Sequence, residues 1–145
     1  MKLTFQKLND AAVIPQRATP FSAGLDLSAC IPEDITLEPH EIRLIPTGLA
    51  AAPDETDVML MLCARSGLAA KHGIGLANGV GIVDSDYRGE IRVALINQSE
   101  TAFTVTPGMR IAQLIVVPVM TAEVAEADTL PDTQRGAGGF GSTGR

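Results

Sequence analysis

Residues 90–97 read EIRVALIN, and this stretch decides the fold class. Ile91, Val93 and Leu95 stand at every second position, so all three face the same side of an extended chain. Turn residues such as TPG and APDE separate further short segments that are rich in Val, Ile or Leu. Short strands at this spacing predict an all-β fold, a jelly-roll-like β-sandwich or barrel. The other predicted strands are KLTFQKL (2–8), EIRLIPTGL (41–49), DVMLMLCA (57–64), AFTV (102–105) and RIAQLIVV (110–117).

One segment breaks the strand pattern and predicts a single short helix. It is RSGLAAKHG, residues 65–73. Ser66 is the expected N-cap, because its hydroxyl can accept a hydrogen bond from a free backbone N–H of the first turn. Gly73 is the expected residue after the last turn, where a left-handed conformation favours glycine.

Beyond Val124 the sequence loses its apolar periodicity and runs AEADTLPDTQRGAGGFGSTGR to its end. Glycine is costly to order, so this segment either stays loose or is ordered by something that it binds. We therefore expect a β core over residues 1–122 and a flexible C-terminal arm over residues 123–145. The glycine-rich part of the arm, residues 135–144, would then be a lid that closes over a ligand.

Composition limits the classes of function. The 145 residues suffice for one domain, and 46% hydrophobic with 19% charged residues is ordinary for a globular protein. The net charge of −6 argues against a surface for nucleic acid polymers. Cys30 and Cys63 form no CxxC pair, which predicts two reduced, buried thiols. No apolar run is long enough for a signal peptide or a membrane span, so we expect a cytoplasmic protein with no membrane partner.

Residues 78–91, NGVGIVDSDYRGEI, contain the richest set of chemical groups. Two acids and the only tyrosine of the chain lie between glycines. A calcium loop is excluded, because Arg88 takes a ligand position and the closing glutamate is missing. A β-hairpin fits the pattern better, with Ile82 and Val83 in a strand and Asp84 at its rim. A solvated turn that happens to carry acids is the alternative.

Three other places could contact a ligand. Arg65 precedes Ser66 and Gly67 at the start of the predicted helix, which suits an anion, although a capped surface helix has the same pattern. Asp26 and Gln113 each interrupt an apolar strand. Such polar groups need partners, which either a ligand or the protein itself can supply. No His, Cys and Asp residues occur at the spacing of a metal site.

Five segments, in their order and spacing, resemble the five sequence motifs of the homotrimeric dUTPases (deoxyuridine 5′-triphosphate nucleotidohydrolases) of bacterial type. The resemblance implies Mg²⁺-assisted hydrolysis of dUTP to dUMP and pyrophosphate, which limits uracil in DNA and supplies dUMP for thymidylate synthesis. It also implies a β jelly roll that assembles as a homotrimer, with active sites at subunit interfaces. The segments are TPFSAGLDLSA (19–29), ARSGLAAKHG (64–73), NGVGIVDSDYRGEI (78–91), PGMRIAQLIVVPV (107–119) and RGAGGFGSTG (135–144).

The same resemblance implies roles for single residues. Asp84 would deprotonate the water that attacks the α-phosphorus, and Tyr87 would pack under the deoxyribose and exclude a 2′-hydroxyl. Asp26 would contact Mg²⁺ through its water shell, while the substrate phosphates hold the ion. Arg135 would meet the γ-phosphate, and Phe140 would lie over the uracil. The remaining implied substrate contacts are Arg65, Ser66 and Gly67 for the phosphates, Asn78, Ile82 and Val83 for the uracil edge, and Arg92, Gln113, Gly141 and Ser142.

Two other functions are alternatives to this one. The dCTP deaminases resemble dUTPases, but their catalytic glutamate falls at Ala94, which cannot transfer a proton. A non-catalytic, dUTPase-like nucleotide-binding regulator is the other alternative, although all five motifs look intact. The one departure from the family pattern is Ala137, which stands where relatives often carry a polar residue.

Overall fold

The structure is a computed structural model that describes residues 1–139. Over this range the chain forms eleven strands and one short helix. Every strand pair in it is antiparallel. In chain order the elements are β1 (Leu3–Lys7), β2 (Leu25–Ser28), β3 (Ile35–Leu37), β4 (Ile42–Pro46), β5 (Leu49–Pro53), β6 (Val58–Ala64), α1 (Ser66–His72), β7 (Ile74–Leu76), β8 (Gly81–Asp84), β9 (Arg92–Asn97), β10 (Phe103–Val105) and β11 (Arg110–Pro118).

Two larger sheets contribute most of the core. One has the strand order β2-β11-β6-β8 and the other β4-β9-β7, while β1-β5 and β3-β10 form two-stranded ribbons. Inward side chains of both sheets belong to one buried cluster, in which Leu60, Leu95 and Leu114 are fully covered. The predicted all-β sandwich with one short helix is therefore confirmed. Within residues 1–139 the sheets do not close into a barrel.

Alternating side chains explain how the strands face this core. Ile91, Val93 and Leu95 are at most 1% exposed, as their spacing predicts. β6 alternates in the same way. Leu60 and Leu62 point inward, whereas the two methionines and the cysteine of this strand lie half-buried on the outer face. The side chains of the four-stranded sheet that can contact a ligand are therefore those on its outer face.

The predicted single strand over residues 41–49 is wrong, because the chain changes sheets there. β4 and β5 are separated by Thr47 and Gly48. Gly48 has a φ of 67°, and a Cβ at this position would lie 2.8 Å from the Cys30 sulfur. Thr47 is buried, and its hydroxyl donates to the carbonyl oxygen of Ile91 at 2.6 Å. The crossing thus depends on contacts with distant parts of the chain.

The predicted hairpin over residues 78–91 is also wrong, although its strand exists. β8 ends at Asp84 as expected, but it pairs with β6, whereas β9 pairs with β4 and β7. The intervening residues 85–91 connect two different sheets. β3 and β7 were not predicted, and each is only three residues long.

The helix begins one residue earlier than its predicted cap implies. Arg65 is the N-cap and has an extended backbone (φ −84°, ψ 129°), so β6 runs directly into α1 and Ser66 lies inside the first turn. No side chain caps this end. Gly73 is left-handed (φ 66°) at the other end, as predicted. No helix within residues 1–139 is long and apolar enough to cross a membrane.

Both cysteines are free, as predicted, but neither is fully buried. Cys63 lies on the half-covered outer face of β6, and Cys30 lies beside the Gly48 crossing. The expectation of buried thiols is therefore wrong in degree. Exposure of Cys63 follows from the alternation of its strand, which places it on the same face as the methionines.

The chain after β11 contains neither helix nor strand up to residue 139. The N–H of Val119 donates to the carbonyl oxygen of Asp57 at 2.8 Å. Farther along, Met120, Val124 and Leu130 are between 85% and 96% exposed. The division into a core over 1–122 and an arm over 123–145 stays a prediction.

Candidate active site

A groove of about 250 Å³ opens where β8 ends and the chain turns towards β9. Asp84 is exposed at the rim, as the last residue of the strand. The groove brings together five of the residues to which the sequence assigned a role in substrate binding or catalysis. They are Ile82, Val83, Asp84, Tyr87 and Arg92.

The Tyr87 side chain is held at the groove by its neighbours. Its N–H donates to the carbonyl oxygen of Asp84 at 3.1 Å, and its hydroxyl donates to the carbonyl oxygen of Glu90 at 3.1 Å. Gly89 lies directly against the ring, since a Cβ there would be 2.3 Å from the Tyr87 hydroxyl oxygen. Only glycine at 89 leaves room for the ring in this place.

Two side chains fix the turn between Asp84 and Tyr87. The Ser85 hydroxyl donates to the carbonyl oxygen of Thr56 at 3.0 Å. The Arg88 guanidinium donates to the carbonyl oxygens of Ser85 at 2.7 Å and Tyr87 at 3.0 Å. The turn is therefore anchored at both ends, and the Asp84 carboxylate stands on a constrained backbone.

β8 is an edge strand within the described part of the chain. It pairs with β6 on one side, and residues 1–139 place no strand on its other side. An edge strand presents unpaired N–H and C=O groups to whatever lies beside it. Beside the groove, those groups can read the hydrogen-bonding pattern of a flat polar ligand.

A second polar cluster lies at the far end of the same sheet and joins Asp26 to Arg65 and Arg110. One Asp26 oxygen lies 3.3 Å from Nε of Arg65, and the other lies 3.0 Å from a terminal nitrogen of Arg110. A terminal nitrogen of Arg65 also donates to the carbonyl oxygen of Arg110 at 3.1 Å. The Asp26 side chain is only 12% exposed. One carboxylate is thus shared by two guanidinium groups.

The other predicted phosphate contacts surround this cluster. Gln113 is the cross-strand neighbour of Asp26, and a Cβ at Gly24 would come within 3.1 Å of its amide oxygen. Ser66 and Gly67 begin α1 directly after Arg65, and nothing lies within 4 Å of the place that a Cβ on Gly67 would take. The space there is open to a ligand.

The groove and the cluster are far apart in one chain. Asp84 pairs with Met59 in β6, and Arg65 lies six positions farther along that strand. At ~3.3 Å per residue, this separates the two by ~20 Å. Neither side chain spans this separation by itself.

Two predicted residues lie at neither the groove nor the Arg65 cluster. Asn78 is exposed in the loop before β8 and is not among the residues that line the groove. Arg135 is exposed, and its Nε donates to the carbonyl oxygen of Gly138 at 2.9 Å within the same segment. The predictions for Phe140, Gly141 and Ser142 lie outside the described residues.

The sequence pattern assigned no ligand contact to several further residues of these two regions. Leu44 and Glu90 line the groove, and Arg110 completes the cluster. The Glu90 carboxylate accepts a hydrogen bond from the N–H of Gly48, 42 positions away, and Arg110 pairs with Asp26, 84 positions away. No local pattern in the sequence marks such partners.

The described residues do not form a metal site of their own. Residues 1–139 contain no group of three or more His, Cys, Asp or Glu side chains that could hold a metal ion. Each Asp26 oxygen already faces an arginine, although a carboxylate oxygen has a second lone pair that can accept from water. This donor set fits a cation that arrives with its own ligands and meets Asp26 only through water.

Comparison with known proteins identifies the family. The dUTPase family model matches residues 10–144. The chain belongs to the dUTPase family. The deoxyuridine 5′-triphosphate nucleotidohydrolase of Desulfitobacterium hafniense (strain DSM 10664 / DCB-2) is 51% identical over 144 residues, which cover 99% of this chain and 95% of the relative. The enzyme of the same name from Ralstonia nicotianae is 49% identical over 148 residues, covering 100% and 99%.

Solved structures of dUTPases share the fold. The G164S mutant of the Staphylococcus bacteriophage 80alpha dUTPase, solved with dUpNHpp, superimposes with a TM-score of 0.89 at 26% identity and covers 99% of both chains. Another structure of this phage dUTPase with the same compound gives the same TM-score, identity and coverage. The similarity to the dUTPase family that the five motifs predicted is therefore confirmed.

Proposed function

We propose that this chain is a dUTP diphosphatase that hydrolyses dUTP to dUMP and pyrophosphate. The observation that carries the proposal is membership of the dUTPase family over nearly the whole chain. Relatives that are 51% and 49% identical are named for this activity. The groove at the end of β8 supplies an exposed carboxylate, which can take a proton from an attacking water, beside an aromatic side chain.

Asp84 is the general base. It stands exposed at the groove rim on a turn anchored by Ser85 and Arg88, so its carboxylate can accept a proton from a water molecule held in a fixed direction. Water that loses its proton to Asp84 attacks the α-phosphorus, and pyrophosphate leaves. A positioned base contributes ~10²- to 10⁴-fold to such a rate.

The edge of β8 and the Tyr87 side chain select the nucleoside. Backbone groups near Ile82 and Val83 on the unpaired edge can match the donors and acceptors of uracil. Cytosine presents the reversed pattern and would leave polar groups unpaired, which costs on the order of 10⁴-fold in discrimination. Tyr87, held against Gly89, excludes a 2′-hydroxyl and thereby favours the deoxyribonucleotide.

The substrate enters as its magnesium complex, in which the phosphates hold the ion. When bound, magnesium would neutralise charge on the triphosphate, and Asp26 would contact the complex through water. Arg65, with Ser66, Gly67 and Gln113, binds the phosphates. These cationic and polar groups overcome the net charge of −6 locally.

The active site is shared between copies of this chain. The backbones of Asp84 and Arg65 in one copy are ~20 Å apart along β6, so a single copy brings both to one triphosphate only with fully extended side chains. A neighbouring copy would bring its Arg65 cluster to the Asp84 groove and so complete the site. In a closed ring of three copies, as the resemblance implies, all three sites are equivalent. The assembly is thus part of the proposal.

The C-terminal arm is the proposed lid. Arg135 would meet the γ-phosphate, and the glycines up to 144 would wrap the substrate, whose binding supplies the free energy for ordering them. Such closure excludes bulk water from the reacting phosphate. A cytoplasmic location, inferred from composition, likewise stays a prediction.

Asp84→Asn tests the proposed base. Asparagine keeps the size of the side chain but cannot accept the proton, so pyrophosphate release from dUTP with Mg²⁺ falls by ~10²- to 10⁴-fold. Affinity for the non-hydrolysable analogue dUpNHpp, measured by calorimetry, stays within a few-fold of the wild type. The wild-type protein is also assayed with UTP, dCTP and dTTP, and with dUTP in the presence of EDTA. We expect little pyrophosphate release in each of these assays.

Asp86→Asn is the matched control, because Asp86 is an exposed acid of the same turn that does not line the groove. Its turnover stays close to that of the wild type. Near-wild-type turnover in Asp84→Asn would show that another group is the base. A wild-type chain that binds dUpNHpp but releases no pyrophosphate would favour the non-catalytic regulator instead.

A further inference from the structure

The cluster at the far end of the four-stranded sheet contains one charged residue that the proposed mechanism does not use. Arg110, the first residue of β11, contacts Asp26 through its side chain and Arg65 through its carbonyl oxygen. Its own side chain is 55% exposed, whereas those of Asp26 and Arg65 are 12% and 25% exposed. Arg110 is therefore the exposed member of a cluster whose other two charged side chains are largely buried.

The hydrogen bonding of Arg65 is incomplete in this arrangement. Its Nε is buried and has no hydrogen-bond partner within residues 1–139, although an Asp26 oxygen lies 3.3 Å away. The ion pair is thus close enough for electrostatic attraction but too poorly aligned for a hydrogen bond. A carboxylate that was free to move would turn to make the aligned, two-bond contact that arginine prefers. The contact of the second Asp26 oxygen with Arg110 prevents that turn.

The charges lead to the same conclusion. One aspartate and one arginine form a neutral pair, whereas one aspartate and two arginines keep a net charge of +1. A triphosphate needs this excess, because the remainder of the protein is acidic. Without Arg110, Asp26 would neutralise Arg65 and also draw it into a bidentate pair.

We propose that Arg110 is a positioning residue for dUTP hydrolysis: by holding Asp26, it keeps the charge and donors of Arg65 available to the substrate phosphates. The inference rests on the proposed function. It assigns Arg110 no contact with the reacting atoms. Its effect is on binding of the triphosphate, which engages the Arg65 cluster fully, and much less on binding of the product dUMP.

Arg110→Gln tests the proposal by steady-state kinetics and calorimetry. We expect the KM for dUTP and the Kd for dUpNHpp to rise about tenfold, as for the loss of a charge-assisted contact, with kcat changed by less than the KM. The Kd for dUMP stays within a few-fold of the wild type. Arg110→Lys, which keeps the charge, restores part of the affinity for dUpNHpp.

Arg43→Gln is the matched control for removing an exposed arginine from an ion pair. Arg43 is also 55% exposed and pairs with Glu41, whose pKa is held below its ordinary value by the backbone N–H of Glu38 and also by Arg43. It lies outside the groove and the Arg65 cluster. Its kinetic constants remain those of the wild type.

A double-mutant cycle separates positioning from direct binding. In an Asp26→Asn background there is no carboxylate to capture Arg65, so adding Arg110→Gln raises the Kd for dUpNHpp much less than it does in the wild type. An equal rise in both backgrounds would mean that Arg110 binds the phosphates itself. Equal losses for dUpNHpp and dUMP, or no change at all, would also overturn the proposal.

The outcome is distinct from that of the proposed function. If the wild-type chain hydrolyses dUTP and Arg110→Gln matches it, only the positioning role fails. If the wild-type chain releases no pyrophosphate, the proposed function fails, and the dUpNHpp cycle still measures the coupling between Arg110 and Asp26. Thermal unfolding of each variant shows that the folded protein is being compared.

Discussion

Gly89 decides where the Tyr87 ring can lie. The 2.3 Å gap between a Cβ at 89 and the Tyr87 hydroxyl oxygen is far below any contact distance, so a methyl group must push the ring out of its place. We therefore expect Gly89→Ala to lower kcat/KM for dUTP about tenfold or more, as overpacking of this kind costs ~1–3 kcal/mol. Selectivity for dUTP over UTP, measured from the two kcat/KM values, falls as well.

Gly75→Ala is the control for this change, because nothing lies within 4 Å of the added methyl group in β7. It should leave both the rate and the selectivity unchanged. If Gly89→Ala lowered the rate but kept the full preference for dUTP, Tyr87 would not be the group that excludes the 2′-hydroxyl.

At the residue scale, the sequence predicted what depends on near neighbours. Asp84 at a strand rim and Gly73 after a helix follow from local patterns, and both are confirmed. The prediction of Ser66 as the N-cap was wrong, because Arg65 occupies that position. Arg65 has an extended backbone that continues from β6, and this conformation depends on the sheet. Arg110 was missed because its carboxylate partner is 84 positions away.

At the element scale, Asn97 holds the end of β9 to its surroundings. It is completely buried, and its amide nitrogen donates to the carbonyl oxygens of Leu37 at 3.0 Å and Thr101 at 2.8 Å. Its side-chain oxygen accepts from the N–H and the hydroxyl of Ser99. This one side chain thus joins β3, β9 and the turn that leads to β10.

Asn97→Asp removes both donors and turns a carboxylate oxygen towards two carbonyl oxygens. We expect the free energy of unfolding in urea at neutral pH to fall by roughly 3 kcal/mol, the cost of leaving buried acceptors unpaired beside a buried charge. Gln98→Glu makes the same chemical change at the next, exposed position and should cost little. Equal stability of the two variants would contradict the structural role of Asn97.

The elements themselves were predictable where the strand is long enough to alternate. β9 and β6 were recognised because three or more buried residues recur at a period of two. The break between β4 and β5 at Gly48 was not predictable from the sequence. It is imposed by close contact with the Cys30 side chain, which comes from another part of the chain. The hairpin prediction was wrong for a similar reason. β8 pairs with β6, and turn residues alone do not specify which sheet a strand joins.

At the scale of the whole molecule, one sheet carries both parts of the proposed active site, the Asp84 groove and the Arg65 cluster. Asp84 pairs with Met59 near the start of β6, and the Arg65 cluster lies beyond its end. A strand is stiff, so the ~20 Å between them cannot be closed by bending one copy. The family resemblance implies a shared site, and the separation along this strand supports that proposal.

Mixing two inactive variants tests the shared site directly. Asp84→Asn lacks the base and Arg65→Gln lacks the phosphate contact, so neither alone releases pyrophosphate at an appreciable rate. If each site takes Asp84 from one copy and Arg65 from another, unfolding the two variants together and refolding them lets some sites combine both intact residues. With random assembly of equal amounts into closed rings, roughly a quarter of the sites are restored. Each variant refolded alone is the control, and a mixture no more active than its parts would place both residues of every site in a single copy.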